Sequence, residues 1–480
     1  MLRLAPRRLP APVPTTAGAL LLLVASEAGL GIVIGWPQFL IAAVLGLAGI
    51  AVVGVALARP EWSALLLLFV LFSRLTDAYE LHGWLLGLQT LVLAAMLRQR
   101  WLVRREGLVL DRALAWMLAY GVAIALSALN AASPGATGGE LLNYLRDLLT
   151  VVILVNLLTT VAALRAATWT LVVAGLFLAS AALLGAAGAD LGRLGTVSSA
   201  PLAGDLTGLR LAGALGNADD LAVVLVIVVP LALYRIWDER RRIARIVAFA
   251  AVVLLATTIV LTFSRGGGVA LLTVVSLAGL RWRARFARLC VLGAIVTGAA
   301  LVAPSAYWDR LGASADFLAG NAGSALARGD PSLQERSHLW QVGALVFWEH
   351  PLIGVGKGNY LDAYPTYAWR IDTSLPTTPL VAHSTPIQVL ADTGLVGLGT
   401  LVGVLAVAVA GLRQARRQLE EARVPHGSAL VEAIELAVYG QLTASLFLSD
   451  SYPRYLWILI ALAAIARQVS LRRPTTQVPA

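Results

Sequence analysis

Residues 386–412 read PIQVLADTGLVGLGTLVGVLAVAVAGL and contain a single charged side chain, Asp392. A helix of about 20 apolar residues is long enough to cross the roughly 30 Å hydrocarbon core of a bilayer. Because that core offers no water, the backbone polar groups must bond within the segment, and a helix satisfies them. The stretch therefore predicts a transmembrane helix.

Similar stretches recur along the whole chain. The 480 residues are 59% hydrophobic and only 13% charged, with a mean hydropathy of +0.79, whereas about a quarter of the residues of a soluble domain are charged. The sequence predicts an all-α polytopic membrane protein with 12–14 transmembrane helices, the lower number applying if one short pair is re-entrant. The fourteen candidate spans are 17–35, 38–57, 61–76, 82–97, 112–130, 144–160, 165–187, 218–236, 244–263, 266–281, 286–303, 386–412, 428–448 and 452–469.

The spans divide the chain into three parts. Residues 1–303 hold eleven predicted helices, residues 304–385 form a loop, and residues 386–480 hold the last three helices and a tail. A loop of this length is too long to be a simple connector. Within it, Glu335–Glu349 reads as an amphipathic helix suited to a membrane interface. Its apolar face is predicted to consist of Leu339, Val342 and Val346, widened by Trp340, Ala344, Phe347 and Trp348.

The basic residues predict the orientation. With the N-terminus in the cytoplasm and the spans alternating, 26 of the 37 Lys and Arg residues fall on the cytoplasmic side and 11 on the other. This bias is typical of cytoplasmic loops and predicts that both termini are cytoplasmic. It also explains the formal charge of +10 without a nucleic-acid partner, because the arginines form short clusters between spans, where membrane lipids are the expected neighbours.

Other familiar signals fail. The five histidines have no metal-ligand spacing, and the single cysteine, Cys290, lies in an apolar run, so neither a metal site nor a disulfide framework is expected. The segment GVGKG at 354–358 lacks both the early glycine and the Ser or Thr that a phosphate loop needs. No metal or cofactor is predicted.

Four polar residues are predicted on the side opposite the cytoplasm: Arg210, Arg265 and His383 beside predicted spans, and Arg336 at the start of the loop helix. Guanidinium groups bind phosphate through paired hydrogen bonds and do not lose their charge. Cations stabilise the charge that builds on a diphosphate leaving group. A neutral histidine accepts a proton from an attacking hydroxyl near neutral pH. The set therefore suits metal-independent, inverting transfer from a sugar-diphosphate lipid.

The order of motifs resembles the O-antigen ligase/O-antigen polymerase superfamily of membrane glycosyltransferases. The resemblance covers about residues 205–400. The chain has Ser384 where the family often has Asn, and Ala218-Asp219-Asp220 where it often has Pro-Asn. The matching stretches begin at Arg210 (RLAGALGNADDLA), at Ser264 (SRGGG), at Arg336 (RSHLWQVGALVFWEHPLIGVGKGNY) and at His383 (HSTPIQVLADTGLVGL).

The resemblance implies a fold similar to C-type glycosyltransferases, a bacterial inner-membrane location and an active site facing the periplasm. It implies that Arg210 and Arg265 hold the diphosphate of an undecaprenyl-diphosphate-linked glycan, with Arg336 as a third contact. It implies His383 as the general base that activates a sugar hydroxyl of a lipid A–core-like or other lipid-linked acceptor.

Three further residues are candidates for substrate contacts. Arg146 stands near the outer end of a predicted span. Lys357 is the only lysine of the chain and lies in a glycine-rich turn. Asp392 lies in an Asp-Thr-Gly turn, where it could orient a basic side chain.

Four functions remain open at this stage, one of them being transfer of the glycan to a protein Ser or Thr. The favoured one is a ligase that moves a glycan from undecaprenyl diphosphate to a lipid A–core-like acceptor. The nearest alternative is a polymerase that extends a lipid-linked O-antigen or exopolysaccharide, because the donor chemistry is the same. A transporter of polyprenyl-linked glycans is the alternative from another class, although transporters usually place polar residues near the bilayer midplane.

Overall fold

The computed structural model describes residues 58–79, 82–201, 207–282, 331–371, 380–424, 427–448 and 453–472, together with a few isolated positions. Contacts divide the chain into Met1–Ser63 and Ala64–Ala480. The second unit contains all the candidate site residues.

The described part is almost entirely helical, with one small hairpin. The helices are α1 (Pro60–Ser73), α2 (Leu75–Ala78), α3 (His82–Leu97), α4 (Arg112–Ser127), α5 (Pro134–Leu157), α6 (Val161–Ala186), α7 (Ala218–Asp238), α8 (Arg242–Leu261), α9 (Arg265–Trp282), α10 (Pro331–Glu349), α11 (Tyr360–Ile371), α12 (Thr385–Glu421), α13 (Gly427–Ser445) and α14 (Arg454–Leu471). The strands are β1 (Val197–Pro201) and β2 (Thr207–Leu211).

Six described helical segments are long and apolar enough to cross a membrane, which confirms an all-α polytopic membrane protein. They are Arg112–Asn130, Val161–Ala186, Ala218–Asp238, Arg242–Leu261, Thr385–Glu421 and Arg454–Leu471. Five other predicted spans coincide with described helices (α1, α3, α5, α9 and α13). The predicted spans 17–35, 38–57 and 286–303 lie mainly outside the described residues.

Helix α5 begins ten residues before the predicted span at 144. Its first turns are rich in glycine, so hydropathy did not reveal them. Pro134 stands in the first turn, where its fixed φ suits a helix start and its missing N–H leaves no bond unmade.

Helix α7 is the central helix of one half of the bundle. In the most apolar stretch of α7, 83% of the helix is buried, whereas the buried share is 44% in α6 and in α8. It packs against α6, α8, α9 and α13, while α12 packs against α4, α13 and α14. Since Leu221 to Leu233 are apolar on every face, α7 can be surrounded by other helices.

The loop between α6 and α7 contains the hairpin, which the sequence did not predict. Its strands pair antiparallel, with Ser198 opposite Arg210. Beyond the strands, the carbonyl of Thr196 accepts the N–H groups of Ala212 (3.2 Å) and Gly213 (2.8 Å). These bonds fix the backbone between β2 and α7 and so position Arg210 beside the start of α7.

The predicted amphipathic helix lies within α10. Leu339, Val342 and Val346 are buried at 0–1% exposure, in a cluster with residues of α11. Trp348 is 75% exposed and Ala344 is also exposed, so the face that packs against the protein is narrower than the predicted apolar face. Both lie beyond the arc that contacts α11 and α12.

The loop after α10 is locked to a break inside α12. Gly394 interrupts that helix with φ 62° and ψ −161°. The Leu395 N–H donates to the Pro351 carbonyl (2.8 Å), and the Val355 N–H donates to the Ala391 carbonyl (2.9 Å). The join is made by backbone atoms, so it holds the loop and α12 in one register.

Replacing Gly394 tests this join. A Cβ at position 394 would lie 2.4 Å from the Leu352 carbonyl carbon, and its backbone angles are essentially restricted to glycine. We expect Gly394→Ala to destabilise the protein by at least about 1–3 kcal/mol and to lower the melting temperature in detergent. Gly399→Ala is the control, because a Cβ there meets nothing within 4 Å. Equal melting of the two variants would contradict the expectation.

Candidate active site

One end of the helix bundle gathers the four residues singled out by the sequence. Arg210 comes from β2, Arg265 begins α9, Arg336 lies on α10, and His383 stands two residues before α12. The helices α7, α9 and α12 all begin here. Helix N-termini present unpaired N–H groups and a positive dipole end, which favour anions.

The carboxylate of Asp219 is the centre of this cluster. Its Oδ1 lies 2.9 Å from Nη2 of Arg210, and its Oδ2 lies 3.6 Å from Nη2 of Arg336. It also accepts a hydrogen bond from the Ser264 side chain. Asp219 stands in the first turn of α7, where the helix dipole stabilises a negative charge. Asp219 thus connects the start of α7 to β2, to α10 and to the residue that precedes α9.

Two of the arginines are held by backbone carbonyls as well. Nε of Arg210 donates to the carbonyl of Thr262 (2.8 Å), and Nη1 of Arg336 donates to the carbonyl of Phe447 (3.3 Å). Each guanidinium therefore has a fixed orientation. Part of its surface still faces outward, since the side chains are 14% and 16% exposed.

Arg265 is placed by close packing at the start of α9. It is 8% exposed and directly follows Ser264, whose side chain bonds Asp219. The Ser264 hydroxyl also accepts the Gly267 N–H (3.2 Å) as a helix cap. A Cβ at Gly267 would lie 2.5 Å from the Cβ of Ala222. Glycine at this position thus lets α9 and its arginine approach α7.

His383 has a left-handed backbone, with φ 49°. For a residue other than glycine this conformation costs about 1–3 kcal/mol and is often found at functional sites. The flanking contacts hold it: the Ala382 N–H donates to Oε1 of Gln388 (3.0 Å), and the Thr385 hydroxyl donates to the carbonyl of Leu448 (2.8 Å).

The imidazole of His383 is held in its neutral form. Burial and, to a smaller extent, the positive charge of Arg336 lower its pKa from 6.5 to about 4, and the negative charge of Asp219 opposes this shift. At neutral pH His383 is therefore a proton acceptor. It is the one candidate base that the sequence identified, and the structure places it close to Arg336 and Asp219.

Lys357 and Asp392 meet each other, 3.8 Å apart. Asp392 is 1% exposed and also accepts the Tyr360 N–H (3.3 Å) and Nε2 of Gln388 (3.3 Å). Gln388 therefore links Asp392 to the backbone beside His383. The glycines that flank Lys357 have positive φ, 99° at Gly356 and 84° at Gly358, a conformation that glycine adopts without steric cost.

Arg146 stands apart from this cluster. It lies exposed on α5 and lines a separate cavity with Arg74, Asp77 and Arg454. Among the residues that the structure describes, no group of three or more His, Cys, Asp or Glu is arranged to hold a metal ion.

Sequence reasoning missed two residues that organise the site. Asp219 appeared only as a departure from a family pattern, and Gln388 was not noticed. An acid in the first turn of an apolar helix was the available signal for Asp219, because such a charge needs a partner. Nothing in the sequence distinguished Gln388.

Residues 250–402 match a family model described as O-antigen ligase. This segment, about a third of the chain, is therefore similar to the O-antigen ligase family. This confirms the predicted relationship to the O-antigen ligase/polymerase superfamily and supports ligase- or polymerase-type activity on lipid-linked glycans in general. The matched O-antigen ligase segment includes Arg265, Arg336 and His383, whereas Arg210 and Asp219 precede it and join it through the contacts above. No curated protein matches the chain.

The depressed pKa of His383 predicts a pH-dependent stability. Because the folded protein binds this proton less readily than the unfolded chain, the contribution of the neutral imidazole is complete above about pH 6.5 and is lost as the pH falls from there towards 4. The loss approaches about 1.4 kcal/mol for each pH unit. His383→Gln removes the titration. Between pH 7.5 and pH 5, the melting temperature of the wild type should therefore fall more than that of His383→Gln. An equal fall in the two proteins would contradict the depressed pKa.

Proposed function

We propose that the protein is an O-antigen ligase-type glycosyltransferase that moves a glycan from undecaprenyl diphosphate to a sugar hydroxyl of a lipid A–core-like acceptor. The observation that carries the proposal is a neutral histidine, His383, close to Arg336 and Asp219 at one end of a bundle of membrane-spanning helices. The O-antigen ligase match supports the same class of reaction.

The charge of the cluster suits a diphosphate. Arg210, Arg265 and Arg336 carry three positive charges and Asp219 carries one negative charge, which leaves a net charge of +2 on these four groups. Asp219 fixes the two guanidinium groups that it contacts without neutralising the site. Such preorganised cations stabilise charge that develops on a leaving group.

In the proposed reaction, the acceptor hydroxyl oxygen attacks the anomeric carbon of the donor sugar. The bond from that carbon to the diphosphate oxygen breaks, and its electron pair stays on the diphosphate. The hydroxyl proton passes to His383, which is uncharged and able to take it. Attack opposite the leaving group inverts the anomeric centre. The arginines stabilise the negative charge that develops on the diphosphate, so the proposed steps require no metal ion or nucleotide.

An apolar groove supports a polyprenyl donor. It has a volume of about 440 Å³ and lies between α9, α12 and α13. Thr385 and Pro386 line it, directly after the segment that holds His383, and Leu401, Leu405 and Leu442 continue it along the helices. A chain of isoprene units in this groove would place its diphosphate at the arginines.

Most arginines lie in the predicted loops on the side of the membrane opposite the candidate site. This bias supports an inner-membrane protein whose site faces the periplasm. The gathering of charged groups at helix ends favours an enzyme over a transporter, whose polar site would be expected near the midplane. We propose Lys357 and Asp392 as positioning residues that fix the loop beside the site.

Glycan transfer by the purified protein tests the function. In nanodiscs with an undecaprenyl-diphosphate glycan, EDTA and no nucleotide, we expect the wild type to transfer the glycan to lipid A–core. His383→Ala should reduce kcat by about 10²–10⁴-fold, the usual contribution of a general base. His338→Ala is the matched control, because His338 lies on α10 and has no proposed role.

The acceptor decides between the related functions. A second lipid-linked unit consumed in place of lipid A–core would assign a polymerase. A donor that crosses the bilayer with its sugar–phosphate bond intact would assign a transporter. Equal rates for His383→Ala and the wild type would refute the role of the base.

The pH profile of transfer tests the charge arrangement. Arg336 lowers the pKa of His383, so Arg336→Gln should raise it and move the acidic limb of kcat/KM to higher pH. The wild type should keep its activity down to pH values well below 6, because the pKa of His383 is about 4. An acidic limb that stays in place in Arg336→Gln would contradict the proposed proximity.

A further inference from the structure

A polar cavity of about 320 Å³, separate from the apolar groove, is lined by residues of α2, α3 and α5 and by residues at the start of α14. Its volume is at the lower end of the roughly 300–1,000 Å³ that small-molecule sites occupy. Its lining consists of Arg74, Asp77, Leu85, Leu86, Gln89, Glu140, Asn143, Arg146, Asp147, Pro453, Arg454 and Tyr455.

The charges that line this cavity balance. Three arginines (Arg74, Arg146 and Arg454) face three carboxylates (Asp77, Glu140 and Asp147), and the net charge of the six is zero. The cavity therefore does not select an anion, unlike the cluster of net charge +2 around Asp219. Two amides, Gln89 and Asn143, add further donors and acceptors. A lining rich in both matches the hydroxyl groups of a neutral sugar, each of which donates and accepts.

Ion pairs hold the polar groups in place. Arg454 lies 3.3 Å from Asp147 and 3.8 Å from Asp77, and Asp77 lies 3.0 Å from Arg74. These contacts join α14, α5 and α2. Tyr455 supplies an apolar wall, and its ring is fixed edge-on against Phe72 at 5.0 Å between centroids. Fixed polar groups beside an apolar wall are typical of specific small-molecule sites.

The cavity is close enough to the proposed active site for one glycan chain to reach both. Leu448 accepts a hydrogen bond from Thr385, beside His383, and Arg454 is six residues further along the chain. Six residues span at most about 22 Å between Cα atoms. Glu140, which lines the cavity, also packs against Gly358, next to Lys357. A Cβ added at Gly358 would lie 3.0 Å from Cγ of Glu140.

We propose that this cavity binds a neutral sugar residue of a glycan substrate, outside the diphosphate site. The proposal rests on the proposed glycosyl transfer. The sugar belongs either to the donor glycan or to the acceptor, and both sources present the same chemistry. Arg146 acquires its role here, as a ligand of sugar hydroxyls rather than of phosphate.

Kinetics of Asn143→Ala test the cavity. Asn143 is exposed on α5, so its loss leaves the helix packing intact. With undecaprenyl-diphosphate linked to a neutral oligosaccharide, we expect the KM for one glycan substrate to rise about tenfold, equivalent to about 1.4 kcal/mol, at unchanged kcat. An increase in the KM of the donor assigns the sugar to the donor, and an increase in the KM of the acceptor assigns it to the acceptor. Gln414→Ala, an exposed amide of α12 far along the helix from His383, is the control.

Two binding measurements separate this proposal from the proposed function. Undecaprenyl diphosphate without sugar should bind the wild type and Asn143→Ala equally, and weaker binding to the variant would mean that the cavity holds the diphosphate and would overturn the proposal. The free oligosaccharide should bind the wild type and lose affinity in Asn143→Ala, even if no acceptor supports transfer. Unchanged KM values and equal oligosaccharide binding in both proteins would also overturn it.

Discussion

The carboxylate of Asp219 is the contact on which the arrangement of the site depends. It stands where α7, the central helix, begins, and it binds Arg210 from the hairpin and Arg336 from α10. Two guanidinium groups close together repel each other. The acid between them offsets this repulsion, and the three arginines with Asp219 keep a net positive charge. The same interaction therefore connects the hairpin and α10 to α7 and leaves a positive charge at this end of the bundle.

The chemistry is concentrated at helix ends because the helices themselves are apolar. In a span such as α7, almost every position contacts another helix and cannot carry a charge without a partner. The starts of α7, α9 and α12 provide unpaired N–H groups and space for polar side chains. The resulting site combines a half-buried, neutral histidine with two half-buried arginines and one buried arginine. We propose that the histidine takes a proton and that the arginines hold a diphosphate.

Much of the sequence that resembles the family serves to hold the loop rather than to contact substrate. The turn at 351–359 and the break at Gly394 bind each other through backbone atoms. Asp392 joins this lock to Lys357, and Gln388 extends it to the segment of His383. The segment beside His383 and the turn at 351–359 are therefore held by one connected set of hydrogen bonds.

The sequence by itself determined the class of fold and the candidates for the site. A span of about 20 apolar residues can be recognised without its neighbours, because the bilayer alone imposes it. The tertiary structure decided which candidates meet: Arg336 and Asp219 lie more than 100 residues apart in the sequence, yet they form an ion pair, while Arg146 lies in another cavity. Helix packing and the hairpin register set those distances, and both depend on contacts between distant segments that no local pattern records.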